Sequence, residues 1–128
     1  MRSVHTLSVE DERLLNIGHP GSRVTVRLGD LYSPNAADFN QRTWRYADID
    51  VEAHPFAGTI QTVLTAEDVQ EYDSLARAFT SGQREHVIFG GDRAAEVVLR
   101  RHDQTIEVSV TPSGDDPWPL LRFLIFPS

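Results

Sequence analysis

Apolar and polar residues alternate through several stretches of this chain, and that period of two marks strands with one buried and one wet face. Residues 23–29 (RVTVRLG) set Val24, Val26 and Leu28 against Arg23, Thr25 and Arg27. Residues 44–53 (WRYADIDVEA) set Ala47, Ile49 and Val51 against Asp48, Asp50 and Glu52. Further strands are expected at 13–18, 59–64, 86–90, 94–101 and 104–110, and a first short one around Val4, Leu7 and Val9. The closing stretch 118–126 (WPLLRFLIF) is apolar on both faces, so it is expected inside a sheet or against another surface. Turn chemistry separates these runs: His19-Pro20-Gly21, the polar loop 30–42 (DLYSPNAADFNQR) with its Ser33-Pro34-Asn35 turn, the connection 54–58 (HPFAG), Gly90-Gly91-Asp92 and His102-Asp103.

The period changes once. Ala66, Val69, Tyr72, Leu75, Ala76 and Phe79 recur in steps of three and four, which places them on one stripe of a helix. Thr65 with Asp68 forms a near capping box at its start, Glu67, Asp68, Glu71 and Asp73 suit its positive end, and Gly82 stops it. The spacing therefore predicts one long helix over about residues 65–80. Strands, one helix, then strands describe an α+β fold: an antiparallel meander with the helix packed on it. No linker or internal repeat divides the chain, so residues 1–128 are expected to form a single domain.

Composition narrows the function classes. The net charge is −7, carried by 19 acids against 12 arginines, with no lysine. An acidic domain repels phosphate backbones, which disfavours nucleic acid as a partner, and it speeds encounter with a basic protein. The missing lysine fits a GC-rich coding sequence, such as that of an actinobacterium. The chain has no cysteine, which excludes disulfides and thiolate metal sites. The opening MRSVHTLSVEDERLL does not read as a signal peptide, and no apolar run approaches the roughly 18 residues of a membrane helix. A cytoplasmic protein without membrane contact is the expectation.

The row Asp48, Asp50, Glu52, followed by His54, is the main candidate for chemistry. Neighbours at i and i+2 on a strand face lie about 6.5–7 Å apart. Carboxylates at that spacing can pair with arginines on adjacent strands, with Arg23, Arg27 and Arg100 available. They can instead form a contact surface for a basic protein, or share a hard cation, though no calcium-type loop stands nearby. Trp44 and Tyr46 precede the acids on the same face and are candidate anchors of such a contact, unless a bulge re-aims the face. The five histidines show no metal-ligand spacing, and no nucleophile elbow or phosphate loop is present. No catalytic residue, cofactor or metal is therefore assigned.

The array resembles the small bacterial immunity proteins of the WapI type and related actinobacterial domains of unknown function. Val51, Ala53, Phe56, Gly58, Leu64, Asp68, Val69 and Leu75 carry the resemblance, within residues 23–126. It implies a non-enzymatic protein that binds and neutralises a cognate toxin, without identifying that toxin; the acidic charge of the chain suits a basic one such as a nuclease. It supplies no binding residue. The partner-binding residues expected from the strand itself are Asp48, Asp50, Glu52, Trp44 and Tyr46. A second expectation comes from the apolar stretch LLRFLIF: a homo-oligomeric accessory domain in which that strand is a pairing edge.

Overall fold

A computed structural model describes residues 12–90, 95–111 and 121–126. Its fold is α+β, with two antiparallel four-stranded sheets and one helix. The first sheet is β1 (Arg13–His19), β2 (Ser22–Leu31), β3 (Arg45–Ala53) and β4 (Phe56–Leu64), paired in chain order. Helix α1 (Ala66–Thr80) follows. The second sheet is β5 (His86–Gly90), β6 (Glu96–His102), β7 (Thr105–Thr111) and β8 (Leu121–Ile125), again in chain order. The expected strand around Val4, together with Gly91, Asp92 and Trp118, lies outside the described residues.

The expected meander is thus two meanders, interrupted by the helix. Each strand has one apolar face, so each sheet has one too, and the two faces bury each other. Val24, Val26, Leu28, Ile49 and Val51 from the first sheet share one cluster with Val87, Phe89, Val97, Leu99, Val108 and Ile125 from the second. The helix adds Tyr72, Ala76 and Phe79 to the same cluster, with Val69 and Leu75 packed beside them. This is the predicted stripe, less Ala66, which is exposed.

Local chemistry sets the helix ends. Thr65 Oγ1 accepts from the Asp68 backbone N–H at 3.1 Å, and Asp68 Oδ2 accepts from the Thr65 N–H at 3.2 Å, a full capping box. At the far end Gly82 takes φ +86° and its N–H donates to the Phe79 carbonyl, a left-handed stop that suits glycine. Arg101 on β6 adds a second clamp: Nη2 donates to the Phe79 carbonyl at 2.7 Å, and the guanidinium lies 4.8 Å from the Phe79 ring centre. Tyr72 packs edge-on against Phe89, and its hydroxyl accepts from the Gly90 N–H at 2.7 Å. Burial pushes the Tyr72 phenol up; that hydrogen bond opposes the shift, and Asp68 and Glu71 add to it.

Two connections differ from expectation. The turn after β3 is only His54 and Pro55, joined by a cis peptide bond, and β4 resumes at Phe56 because Ala53 pairs directly with Phe56. The polar loop after β2 contains a 3₁₀ helix, Asn40–Thr43. The last strand meets one of its two expectations: among the described residues β8 lies at the edge of its sheet and not inside it, and it packs against the other sheet with Ile125 in the shared core. Its carbonyls are met by the β1–β2 turn instead, with Ser22 Oγ donating to Leu124 O and His19 Nε2 lying 3.1 Å from Phe126 O. Among the described residues, no helix is long and apolar enough to cross a membrane.

Phe79 is fully buried where helix, β6 and core meet. Phe79→Ala should cost about 3–5 kcal/mol in urea unfolding, since it opens a cavity and removes the stacking surface of Arg101. Tyr72→Phe should cost about 1 kcal/mol, the worth of its hydrogen bond to Gly90.

Candidate functional site

The outer face of the first sheet is built by register. Once Ala53 opposes Phe56 across the short turn, Asp50 must oppose Thr59 and Asp48 must oppose Gln61. On the other side Arg23 opposes Glu52, Thr25 opposes Asp50 and Arg27 opposes Asp48. Ala47, Ile49 and Val51 point into the core, so Tyr46, Asp48, Asp50 and Glu52 share the wet face as expected. The irregularity feared within β3 falls on β2 instead, between Leu28 and Leu31, and the pairing of β3 with β4 runs unbroken.

The carboxylates are not free. Arg27 sits between two of them: its Nε donates to Asp50 Oδ2 at 2.6 Å, and its Nη2 reaches Asp48 Oδ2 and Asp50 Oδ1 at 3.3 Å. Thr59 Oγ1 donates to Asp50 Oδ1 at 2.7 Å, and Gln61 Nε2 donates to Asp48 Oδ1 at 3.1 Å. Glu52 makes a looser pair with Arg23 at 3.9 Å, and Arg23 Nε, though covered, has no hydrogen-bond partner among the described residues. The hydrogen bond to Asp50 raises the affinity of Arg27 for its proton; burial opposes this, and the charges of Asp50 and Asp48 reinforce it. Burial works to raise Asp50, but the hydrogen bonds from Arg27 and Thr59 and the charges of Arg27 and Arg13 outweigh it, so the carboxyl is held below its ordinary value.

Arg13, Arg23, Arg27, Asp50 and Glu52 line a shallow concavity of about 600 Å³ on this face. Three guanidinium groups here offset the three carboxylates of the row, so the face is locally balanced while the chain as a whole is acidic. Arg100, the other expected partner, lies on β6 in the second sheet, opposite His86 and Glu107, and cannot serve the row. His54 lies in the exposed turn beyond Glu52, where its backbone N–H donates to the Gly21 carbonyl. It is not brought to the carboxylates.

The second sheet repeats the device. Glu107 receives Arg122 Nε at 2.6 Å and lies 3.6 Å from His102 Nε2. The hydrogen bond from Arg122 holds Glu107 below the ordinary carboxylate range; burial opposes it, and His102 assists. A carboxylate tied to a neighbouring strand's arginine is therefore a general way in which this protein finishes a wet sheet face.

Aromatic side chains adjoin the row. Trp44 continues the extended backbone just before β3, and its carbonyl accepts from the Tyr32 N–H at 2.8 Å. Tyr32 stands between the two expected anchors, 6.4 Å from Trp44 and 5.4 Å edge-on from Tyr46, measured between ring centres. Tyr32 is 46% exposed, and Leu31 at the end of β2 and Phe39 in the connection are exposed too. Trp44 also lines a groove of about 370 Å³ with Asn40, Thr65 and Glu67 at the start of α1. Tyr32 escaped the sequence reading because it lies in a stretch read as a polar loop. The signal was the adjacent pair Leu31-Tyr32, the one step of two bulky apolar residues in that stretch. Thr59 and Gln61 were legible only once the turn had set the register.

Among the described residues, no group of three or more histidine and carboxylate side chains is placed to hold a metal ion. Comparison with protein-family models, curated proteins and solved structures finds no match to the chain.

The Asp50 pair has a defined pH signature. Its folded carboxyl titrates below the unfolded one, so the unfolded chain takes up the proton first as pH falls. The stabilisation is complete above the ordinary aspartate range, about 3.9, and is lost as pH drops through it toward the folded value. Asp50→Asn should cost about 0.5–1 kcal/mol at pH 7, a partly wet pair, and should flatten the acid limb of a stability–pH curve measured by urea unfolding.

Proposed function

We propose that this chain is a non-catalytic binding protein of the immunity type, which uses the outer face of the first sheet to cover a protein partner. The observation that carries this reading is the group Tyr32, Trp44 and Tyr46 beside the Arg27–Asp48–Asp50 lattice. Tyrosine, tryptophan and arginine are the residues that dominate protein–protein contact energies, and here they occupy one face of one sheet. Rings held against each other lose little conformational freedom on binding, which favours affinity.

The lattice divides the roles. Each carboxylate already has an arginine, so the row is a patterned surface of fixed acceptors and donors rather than an unscreened acidic patch. A partner with a complementary pattern docks in one register, which gives specificity. The net charge of −7 acts at longer range and speeds the approach of a basic partner such as a nuclease toxin. Neutralisation would follow from occlusion of the partner's active site, with no cofactor required. The immunity type is inferred from the pattern Val51, Ala53, Phe56, Gly58, Leu64, Asp68, Val69 and Leu75, read as resembling WapI-type immunity proteins.

The test is a co-expression rescue. Each gene adjacent to this one is expressed in a host with and without the protein. One neighbour is expected to arrest growth alone and to be silenced by co-expression; if none is toxic, the immunity reading fails. With that partner in hand, Trp44→Ala should weaken binding at least tenfold, about 1.4 kcal/mol or more, by calorimetry. Undiminished binding by an Asp48→Ala/Asp50→Ala/Glu52→Ala variant would remove the row from the interface.

A further inference from the structure

Among the described residues each sheet has two edges, and they differ in protection. Helix α1 packs against β1 and β5 and, less extensively, against β4, which leads into it; β5 is only five residues long. The β1–β2 turn supplies Ser22 and His19 to the carbonyls of β8. The edge of β4 is different. It runs nine residues, FAGTIQTVL, without a charge or a proline, and only β3 pairs with it among the described residues. Phe56, Ala57, Gly58, Thr59 and Gln61 are all exposed. Proteins normally blunt such a strand with lysine, proline or a bulge, because its outward N–H and C=O groups are a template for another strand.

We propose that β4 is a self-pairing edge: two copies of this chain join antiparallel through Phe56–Leu64, so that their first sheets continue into one. This goes beyond the partner-binding reading and uses a different part of the sheet. The strand itself argues for a second copy as its occupant. Its neutrality removes like-charge opposition between identical edges and offers nothing that would select an acidic or basic foreign strand. Pairing about a two-fold axis at Ile60 matches like with like on both faces. On the outer face Thr59 meets Gln61 of the other copy, a hydroxyl–amide pair, and Ala57 meets Val63. On the inner face Ile60 meets Ile60, and Phe56 meets Leu64. Phe56 is 65% exposed although it stands on the core-facing side of β4. It borders an apolar groove of about 200 Å³ with Ile60, Val110 and Leu121, which the added strand would flank.

The outer-face rows also become continuous across the seam. Arg27, Asp48 and Gln61 of one copy run on into Thr59, Asp50 and Thr25 of the other. The concavity bordered by Thr59 and Glu52 thus gains residues from both copies. Opposing this, each copy carries −7. That repulsion is long-range and is screened within about 8–10 Å at physiological salt, so association strengthens as salt is raised.

A variant can separate the two states. In the monomer Thr59 faces Asp50 and Gln61 faces Asp48, so Thr59→Lys with Gln61→Lys keeps an opposite charge beside each carboxylate. In the dimer the same change sets lysine directly opposite lysine twice across the seam. Sedimentation equilibrium of the full chain at 0.5 M NaCl should give twice the 14.4 kDa chain mass, and the variant should give 14.4 kDa with a cooperative melt. Hydrogen exchange should show β4 amides slowing as protein concentration rises. The proposal is overturned by a wild-type monomer at millimolar concentration, by a dimer that the variant leaves intact, or by β4 exchange that ignores concentration. If the variant does not fold, the exchange measurement on the wild type decides alone.

Discussion

Two half-apolar meanders must meet around a single helix, and the remaining features of the protein follow from that constraint. Neither sheet can stand alone, because each leaves a face of valine, leucine and isoleucine uncovered. The helix is held to the second sheet by Tyr72 and Phe79 and packs against β1 of the first. Ala76, between those two rings on the stripe, is small enough to let the helix approach closely. Arg101 makes the joint specific. It covers the Phe79 ring and gives the Phe79 carbonyl at the helix end a second, shorter hydrogen bond beside that from Gly82.

The wet faces follow a different rule. Ion pairs this exposed contribute little stability each, so the Arg27 lattice is better understood as a positioning device. Arg27 joins two carboxylates on the neighbouring strand, while Thr59 and Gln61 hold their remaining oxygens from the other side. Three side chains from the two flanking strands therefore fix where two carboxylates point. A surface built this way is rigid and chemically detailed without carrying a local excess of charge. The unpaired acidity lies elsewhere, with Glu67 and Glu71 exposed on the helix.

Most of the fold was legible along the chain. The helix, its capping box and its glycine stop were all readable, because capping chemistry and a 3.6-residue stripe are local properties. The strands at β2, β3 and β7 were equally plain, because strict alternation needs no partner to be recognised. The order of elements and the α+β class came from the same patterns. So did the face on which Asp48, Asp50 and Glu52 stand, since parity within an unbroken strand decides it.

What lay beyond the sequence was every matter of pairing. Alternation states that a strand has a dry face and not which sheet will cover it, so one meander and two were indistinguishable until the helix was seen to divide them. The charge of the row was readable, but its neutralisation was not. Of the arginines offered to it, Arg23 and Arg27 meet it and Arg100 goes to the other sheet, a choice made by register across non-adjacent positions. The last strand read as lying inside a sheet or against another surface because both its faces are apolar; among the described residues it lies at the edge of its sheet, with Ile125 in the core and its carbonyls met by a distant turn. Composition and period are properties of one segment, whereas neighbours are properties of two, and only the folded chain brings the second segment into place.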